Sequence, residues 1–300
     1  MNIQEFISNY HNHPVLFIGT GMSLRYLENS YSWNSLLQKI ASDFNPDPEY
    51  YLDLKAEHMQ STGYAYEQIA AQIEKDFNQC LKENRHGKFE YINDLFYENI
   101  RNGTNISRFK LYLADLLKEV IIKDSALPEI AELKKARKNI SSVITTNYDQ
   151  MIEQLFSFNP LIGNDILLSN PYGSVYKIHG CVTQPGKIII TENDYEEFNR
   201  KYELIRAQLL SLFIHNPIIF IGYNIGDKNI KDILRTIFSY VDYNSDEAKK
   251  IRDNFLLIEY ENGSENTEVM EHDIDIEGFE TIRINKLKTD NFIAVYQAIA

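Results

Sequence analysis

The sequence predicts an α/β fold: a mostly parallel sheet of about six strands, helices on both faces, and a helical insertion. Three observations carry this. Six short apolar runs recur along the chain: "PVLFIG" from Pro14, "SSVITT" from Ser141, "VYKIHG" from Val175, "PIIFIG" from Pro217, "NFLLIE" from Asn254 and "ETIRIN" from Glu280. They are nearly continuous in apolar, often β-branched residues rather than alternating, as strands covered on both faces are. Helical patterns separate them, which is the signature of a layered α/β domain.

The first strand runs into "FIGTGMS", Phe17 to Ser23. Gly19 and Gly21 permit a tight turn and a close approach of pyrophosphate to backbone N–H groups at a helix start. Leu24 stands where a dinucleotide fingerprint has its third glycine, so the dehydrogenase pattern is incomplete. After this strand, about 120 residues pass with no clear strand. "EYYLDLKAEHMQSTG", "YAYEQIAAQIEKDF" (Tyr64 to Phe77) and "FKLYLADLLKEVII" (Phe109 to Ile122) are helical in period. They predict a helical insertion over roughly residues 45 to 135.

The next strand ends in "TTNYD", with Thr145, Thr146, Asn147 and Asp149 leading into a helical pattern. Asn and Asp are favoured caps and Thr is at home in strands, so this turn has a plain structural role too. "KIHG" follows, placing His179 just after a strand. An imidazole near its ordinary pKa of ~6.5 can serve as a general base. "FIGYNIGDKNI" ends the fourth run with Gly222, Asn224 and Asp227. Asp227 is placed either to cap a helix or to face a ribose hydroxyl. Four polar or glycine-rich strand ends gathered on one edge are more specific than any one, because open parallel sheets bind ligands beyond their strands' carboxyl ends. The closing segment "TDNFIAVYQAIA" predicts a helix capped by Asp290, with Phe292, Ile293, Val295, Tyr296 and Ile299 on its apolar side.

Composition narrows the function class. Of 300 residues, 30 are Lys or Arg and 43 are Asp or Glu, a formal charge of -13. That field repels phosphate, so nucleic acid is not an expected partner of this domain. The densest basic run, "LKKARK" from Leu133, reads as a solvated helix C-terminus. Two cysteines, Cys80 and Cys181, form no Cys-x-x-Cys pair, which excludes a zinc ribbon and fits a reducing compartment. No signal peptide and no apolar run of ~20 residues is visible, so the expectation is a soluble cytoplasmic protein. The chain is expected to form a single domain over 1–300, either complete or the N-terminal effector part of a longer chain.

The order Gly-x-Gly, TTNYD, KIHG and FIGYNxxD resembles the sirtuin-like domains of bacterial anti-phage defence proteins, such as Thoeris effectors and defence-associated sirtuins. "YSWNSLLQKI" from Tyr31 and "ITENDYEEF" share the family's appearance. The resemblance implies a Rossmann-like sheet binding NAD. Asn147 would position the nicotinamide ribose and the attacking water, and His179 would be the catalytic histidine. Thr146 and Asp149 would support that site. Gly19, Thr20, Gly21 and Ser23 would line the diphosphate, and Gly222, Asn224 and Asp227 the adenosine half. No metal is expected. Two departures bear on the substrate: the four-cysteine zinc module of protein-deacylating sirtuins cannot be built, and a "GIPDFR"-like segment is absent. Both favour hydrolysis of NAD as a defence effector. The alternatives are a non-catalytic sensor or scaffold for NAD or ADP-ribose, and an NAD-dependent protein deacylase or ADP-ribosyltransferase. The resemblance further implies homo-oligomers and activation by a sensor domain, a partner protein or a phage protein.

Overall fold

The computed structural model describes all residues except 62, 169–171, 202, 225–234, 236–244 and 275–281. In chain order the strands are β1 (Val15–Ile18), a short hairpin of β2 (Met59–Gln60) and β3 (Gly63–Tyr64), β4 (Ser142–Thr145), β5 (Asn159–Ile162), β6 (Ser174–Lys177), β7 (Ile218–Ile221), β8 (Phe255–Tyr260), β9 (Met270–Ile274) and β10 (Ile282–Thr289). Eight of them form one sheet in the order β5-β6-β4-β1-β7-β8-β10-β9. Every pairing in it is parallel except that of β9 with β10.

Strand β1 shows why the apolar runs are continuous. Leu16 and Ile18 enter one core with Met22, Val143 and Ile219. Val15 and Phe17 enter the opposite core with Ile144, Phe213 and Phe220. Side chains still alternate, but both faces are covered, so no position is left polar. All six apolar runs are strands. The two additional strands lie at the sheet's edges, which is why the pattern missed them. β5 carries Pro160, tolerated on an edge. β9 is "MEHDI", with four exposed residues before Ile274, and so has no buried face to read.

Helices α1 (Ile3–Ser8) and α2 (Thr20–Tyr26) cover the first face of the sheet. Three later helices join them there: α8 (Leu127–Ala136), α9 (Met151–Phe156) and the helix Phe292–Ile299. On the second face lie α11 (Glu203–His215) and the helix Asp246–Asp253. A third core joins α3 (Trp33–Phe44), α4 (Tyr50–Glu57), α5 (Tyr66–Glu83), α6 (Glu90–Arg101) and α7 (Arg108–Leu117). Cys181, Val182, Ile188 and Ile190, from the segment after β6, close it. The helical layer therefore draws on residues from Trp33 to Leu117, while α8 belongs with the sheet. Among the described residues no helix is long and apolar enough to cross a membrane.

One local expectation fails. The last helix is capped by Asn291, whose side chain accepts from the Ala294 N–H at 2.9 Å. Asp290 instead accepts from the Gly263 N–H and pairs with Arg25 at 2.8 Å, so an ion pair and a loop contact outcompete the cap.

β1 sits between β4 and β7, with Ile18 in register with Thr145 on one side and Ile221 on the other. From β1 the chain goes on to β4 on one side, and only after β6 does it cross over to β7 on the other. The carboxyl ends of these strands thus flank a topological switch point, where a crevice opens.

Candidate functional site

The glycine turn after β1 is built around a loop–loop contact. Gly19 N–H donates to Ile221 O at 2.9 Å, and Gly21 N–H donates to Gly222 O at 2.9 Å. A Cβ at Gly21 would stand 2.8 Å from the Gly222 Cα, and one at Gly222 would stand 2.6 Å from Met22 N. Gly222 also has φ +83°, a conformation that favours glycine. These three glycines let the turns after β1 and β7 touch. The Gly21 N–H is engaged within the protein. On this side of the cleft, its lining comes from Thr20 and Ser23.

Asn147 is held from several directions. Its backbone N–H donates to Thr145 Oγ1 at 3.0 Å. Its Nδ2 donates to Gly19 O and to Ser23 Oγ, both at 2.9 Å. A backbone carbonyl can only accept, so the amide's orientation is fixed by chemistry. Oδ1 is left buried with no hydrogen-bond partner among the described residues. Ser23 passes the constraint on, donating to Asp149 Oδ2 at 2.6 Å. Asp149 Oδ1 accepts from the Met151 N–H at 3.0 Å, so this carboxylate both supports the start of α9 and orients Ser23. Thr145 Oγ1 donates to Ile18 O at 2.9 Å, and Thr146 Oγ1 meets the Tyr223 hydroxyl at 2.9 Å.

His179 follows β6 and is buried. Tyr195 of α10 (Glu192–Lys201) stands edge-on to it at 5.4 Å, with its hydroxyl 3.5 Å from Nδ1, and Phe198 lies edge-on at 6.0 Å. Burial pushes the imidazole pKa down from 6.5 to about 4. The ring is therefore neutral at physiological pH, a proton acceptor weaker than an unperturbed histidine.

Asn147 and His179 line the same cleft, of about 770 Å³ including its open mouth. Thr20, Ser23, Thr146 and Asp149 share it. Gly19, Gly21 and Gly222 stand behind this lining as the loop contact described above. Asn224 is exposed and outside the lining, and Asp227 lies outside the described residues.

The sequence analysis gave no role to several residues that the structure brings here. Tyr31 and Trp33 enter from the segment leading into α3, and Tyr148 and Tyr223 from the strand ends. Asn29 lines the cleft as well. Its Nδ2 donates to Glu119 O at 2.7 Å, and its buried Oδ1, like that of Asn147, has no partner among the described residues. Trp33, the single tryptophan, and the tyrosine inside "TTNYD" were visible signals; Asn29 had none.

A parallel sheet whose Asn-Tyr-Asp and Lys-Ile-His-Gly turns meet on one cleft beside a Gly-x-Gly turn is a sirtuin-like arrangement, and comparison with known proteins bears out that class. Residues 141–277 match the family model of the SIR2-like domain. Among individual relatives, "Defense-associated sirtuin 2" of Bacillus subtilis is 31% identical over 108 residues, covering 33% of this chain and 11% of that protein. "NAD(+) hydrolase ThsA" of Enterococcus faecium is 22% identical over 293 residues, covering 92% of this chain and 52% of the relative. The protein of the same name from Cytobacillus dafuensis is 23% identical over 244 residues, covering 78% and 40% respectively. The chain thus spans about half or less of the length of the curated relatives it matches.

Proposed function

We propose that this chain hydrolyses NAD at the bond between nicotinamide and ribose, as the effector part of an anti-phage defence protein. One observation carries the reading. A fixed carboxamide oxygen with no donor among the described residues, that of Asn147, lines the same cleft as a neutral imidazole, that of His179.

The residues fit the chemistry. Cleavage of the glycosidic bond develops an oxocarbenium-like centre and releases nicotinamide as a neutral molecule, so no acid is needed on the leaving group. The site must hold the ribose and admit one water. The Asn147 and Asn29 oxygens call for O–H or N–H donors, which ribose hydroxyls and the nicotinamide amide carry. His179 accepts a proton from the ribose or the water. Thr20 and Ser23 line the diphosphate side of the cleft, with Asp149 holding Ser23, and Thr146 supports the ribose side. Gly19, Gly21 and Gly222 shape the loops; in this reading Asn224 serves the adenosine half, the role the resemblance also gives Asp227, which lies outside the described residues.

In this reading the chain acts as one domain with the helical layer as its insertion. It works in the cytoplasm as a homo-oligomer, triggered by a sensor domain or partner, and its product is ADP-ribose or a cyclised form. Incubating the purified chain with NAD and quantifying free nicotinamide tests it. Asn147→Ala and His179→Ala are each expected to lower release ~100- to 10,000-fold while remaining folded. Binding of NAD with no release by the parent in its oligomeric form would favour the sensor reading. Release that depends on an acetylated peptide would favour the deacylase.

A further inference from the structure

Lys177 is the last residue of β6. It is 1% exposed and is not part of the cleft lining. Its Nζ donates to the carbonyl oxygen of Asp149 and lies 3.1 Å from Glu153 Oε1. Glu153, on α9, is buried too, and neither of its oxygens has an aligned hydrogen-bond donor among the described residues. The 3.1 Å contact is therefore ionic.

Such a pair contributes little to folding. Taking two charges out of water offsets much of their attraction, and an apolar pair of similar volume is often as stable or more so. Its location is more informative. Thr145 pairs with Lys177 across the sheet, and the Ile178 N–H donates to Thr145 O at 3.1 Å. Lys177 thus stands where the strand leading to Asn147 meets the strand leading to His179, two residues further on. Its bond to the Asp149 carbonyl ties the 146–149 turn to β6. The Asp149 carboxylate holds Ser23, and Ser23 holds the Asn147 amide.

We propose that Lys177 is a positioning residue that sets Asn147 against His179, with Glu153 as the counter-charge that keeps its ammonium in place. The activity arm of the test rests on the NAD-hydrolase reading; the exchange arm does not.

The decisive variant is the double substitution Lys177→Met with Glu153→Met in the full chain. It removes both buried charges together, so the fold is expected to persist with an unchanged or higher melting temperature. Amide exchange at Asn147 and Met151, whose N–H groups are bonded inside the turn, is expected to rise about tenfold while the centre of the sheet stays protected. For nicotinamide release, kcat is expected to fall roughly 100-fold with little change in KM, because the reacting groups are displaced rather than lost. A purely structural role predicts the opposite: activity and turn protection return with stability in the double variant, which overturns the proposal. Should the double variant not fold, Lys177→Arg keeps a cation beside Glu153 but changes its reach. Looser exchange at 147 and 151 supports the proposal, and parental exchange overturns it. If the parent releases no nicotinamide, the functional reading fails, and the exchange data still decide the role of Lys177.

Discussion

Lowering the pH from about 7 to about 5 should destabilise this protein through His179 by an amount that its burial sets. The ring is 7% exposed, and desolvation pushes its pKa from 6.5 to about 4. A base whose folded pKa lies below its unfolded value binds fewer protons when folded. Its stability contribution is therefore complete above about 6.5 and drains away as pH falls toward 4. At about pH 5 the unfolded chain carries this histidine almost wholly charged, while the native state keeps it neutral. The unfolding equilibrium then shifts about 30-fold, or about 2 kcal/mol. Urea unfolding followed by fluorescence of the single tryptophan, Trp33, measures this. The parent should lose about 2 kcal/mol more between the two pH values than His179→Gln does. Equal losses would mean that the imidazole titrates normally in the native state, and the argument from burial would be refuted. The same shift places the acid limb of nicotinamide release near pH 4 to 5 rather than near 6.5.

Three further outcomes follow from the cleft. Gly222→Ala puts a Cβ 2.6 Å from Met22 N and 2.7 Å from Gly19 O at a φ of +83°, so both loops must move; a loss of about 2–4 kcal/mol in urea unfolding is expected. Asn29→Ala removes an acceptor with no partner among the described residues; the KM for NAD should rise roughly 2- to 10-fold at constant kcat, read by nicotinamide release. Tyr223→Phe removes the bonds to Thr146 Oγ1 and Ile18 O and should cost about 1 kcal/mol in thermal unfolding.

What the sequence disclosed depended on how strongly burial constrains each residue type. Six strands were readable because their apolar residues run nearly unbroken, most completely where both faces are covered, as Val15 to Ile18 show. β5 and β9 were not, since edge strands tolerate Pro160 and the exposed "MEHD". The convergence of Asn147 with His179 was readable from their common place after parallel strands. The purpose of the glycines was only half readable. Spacing showed a tight turn but not that Gly21 and Gly222 pack on each other, which depends on a contact about 200 residues apart. Lys177 was legible as a strand residue and nothing more. That a lysine lies buried against a glutamate cannot be inferred from "VYKIHG", because the partner is set by how α9 packs.

The chemistry of the cleft follows from how its polar groups are already committed. Asn147 has both N–H bonds of its amide engaged inside the protein, leaving only an acceptor. His179 is held neutral, so it too accepts rather than donates a charge-bearing proton. Among the described residues the one carboxylate of the lining, Asp149, is turned toward Ser23 and the start of α9. A site arranged in this way favours a ligand that brings its own donors and requires no acid for its leaving group. A pyridinium glycoside meets both conditions.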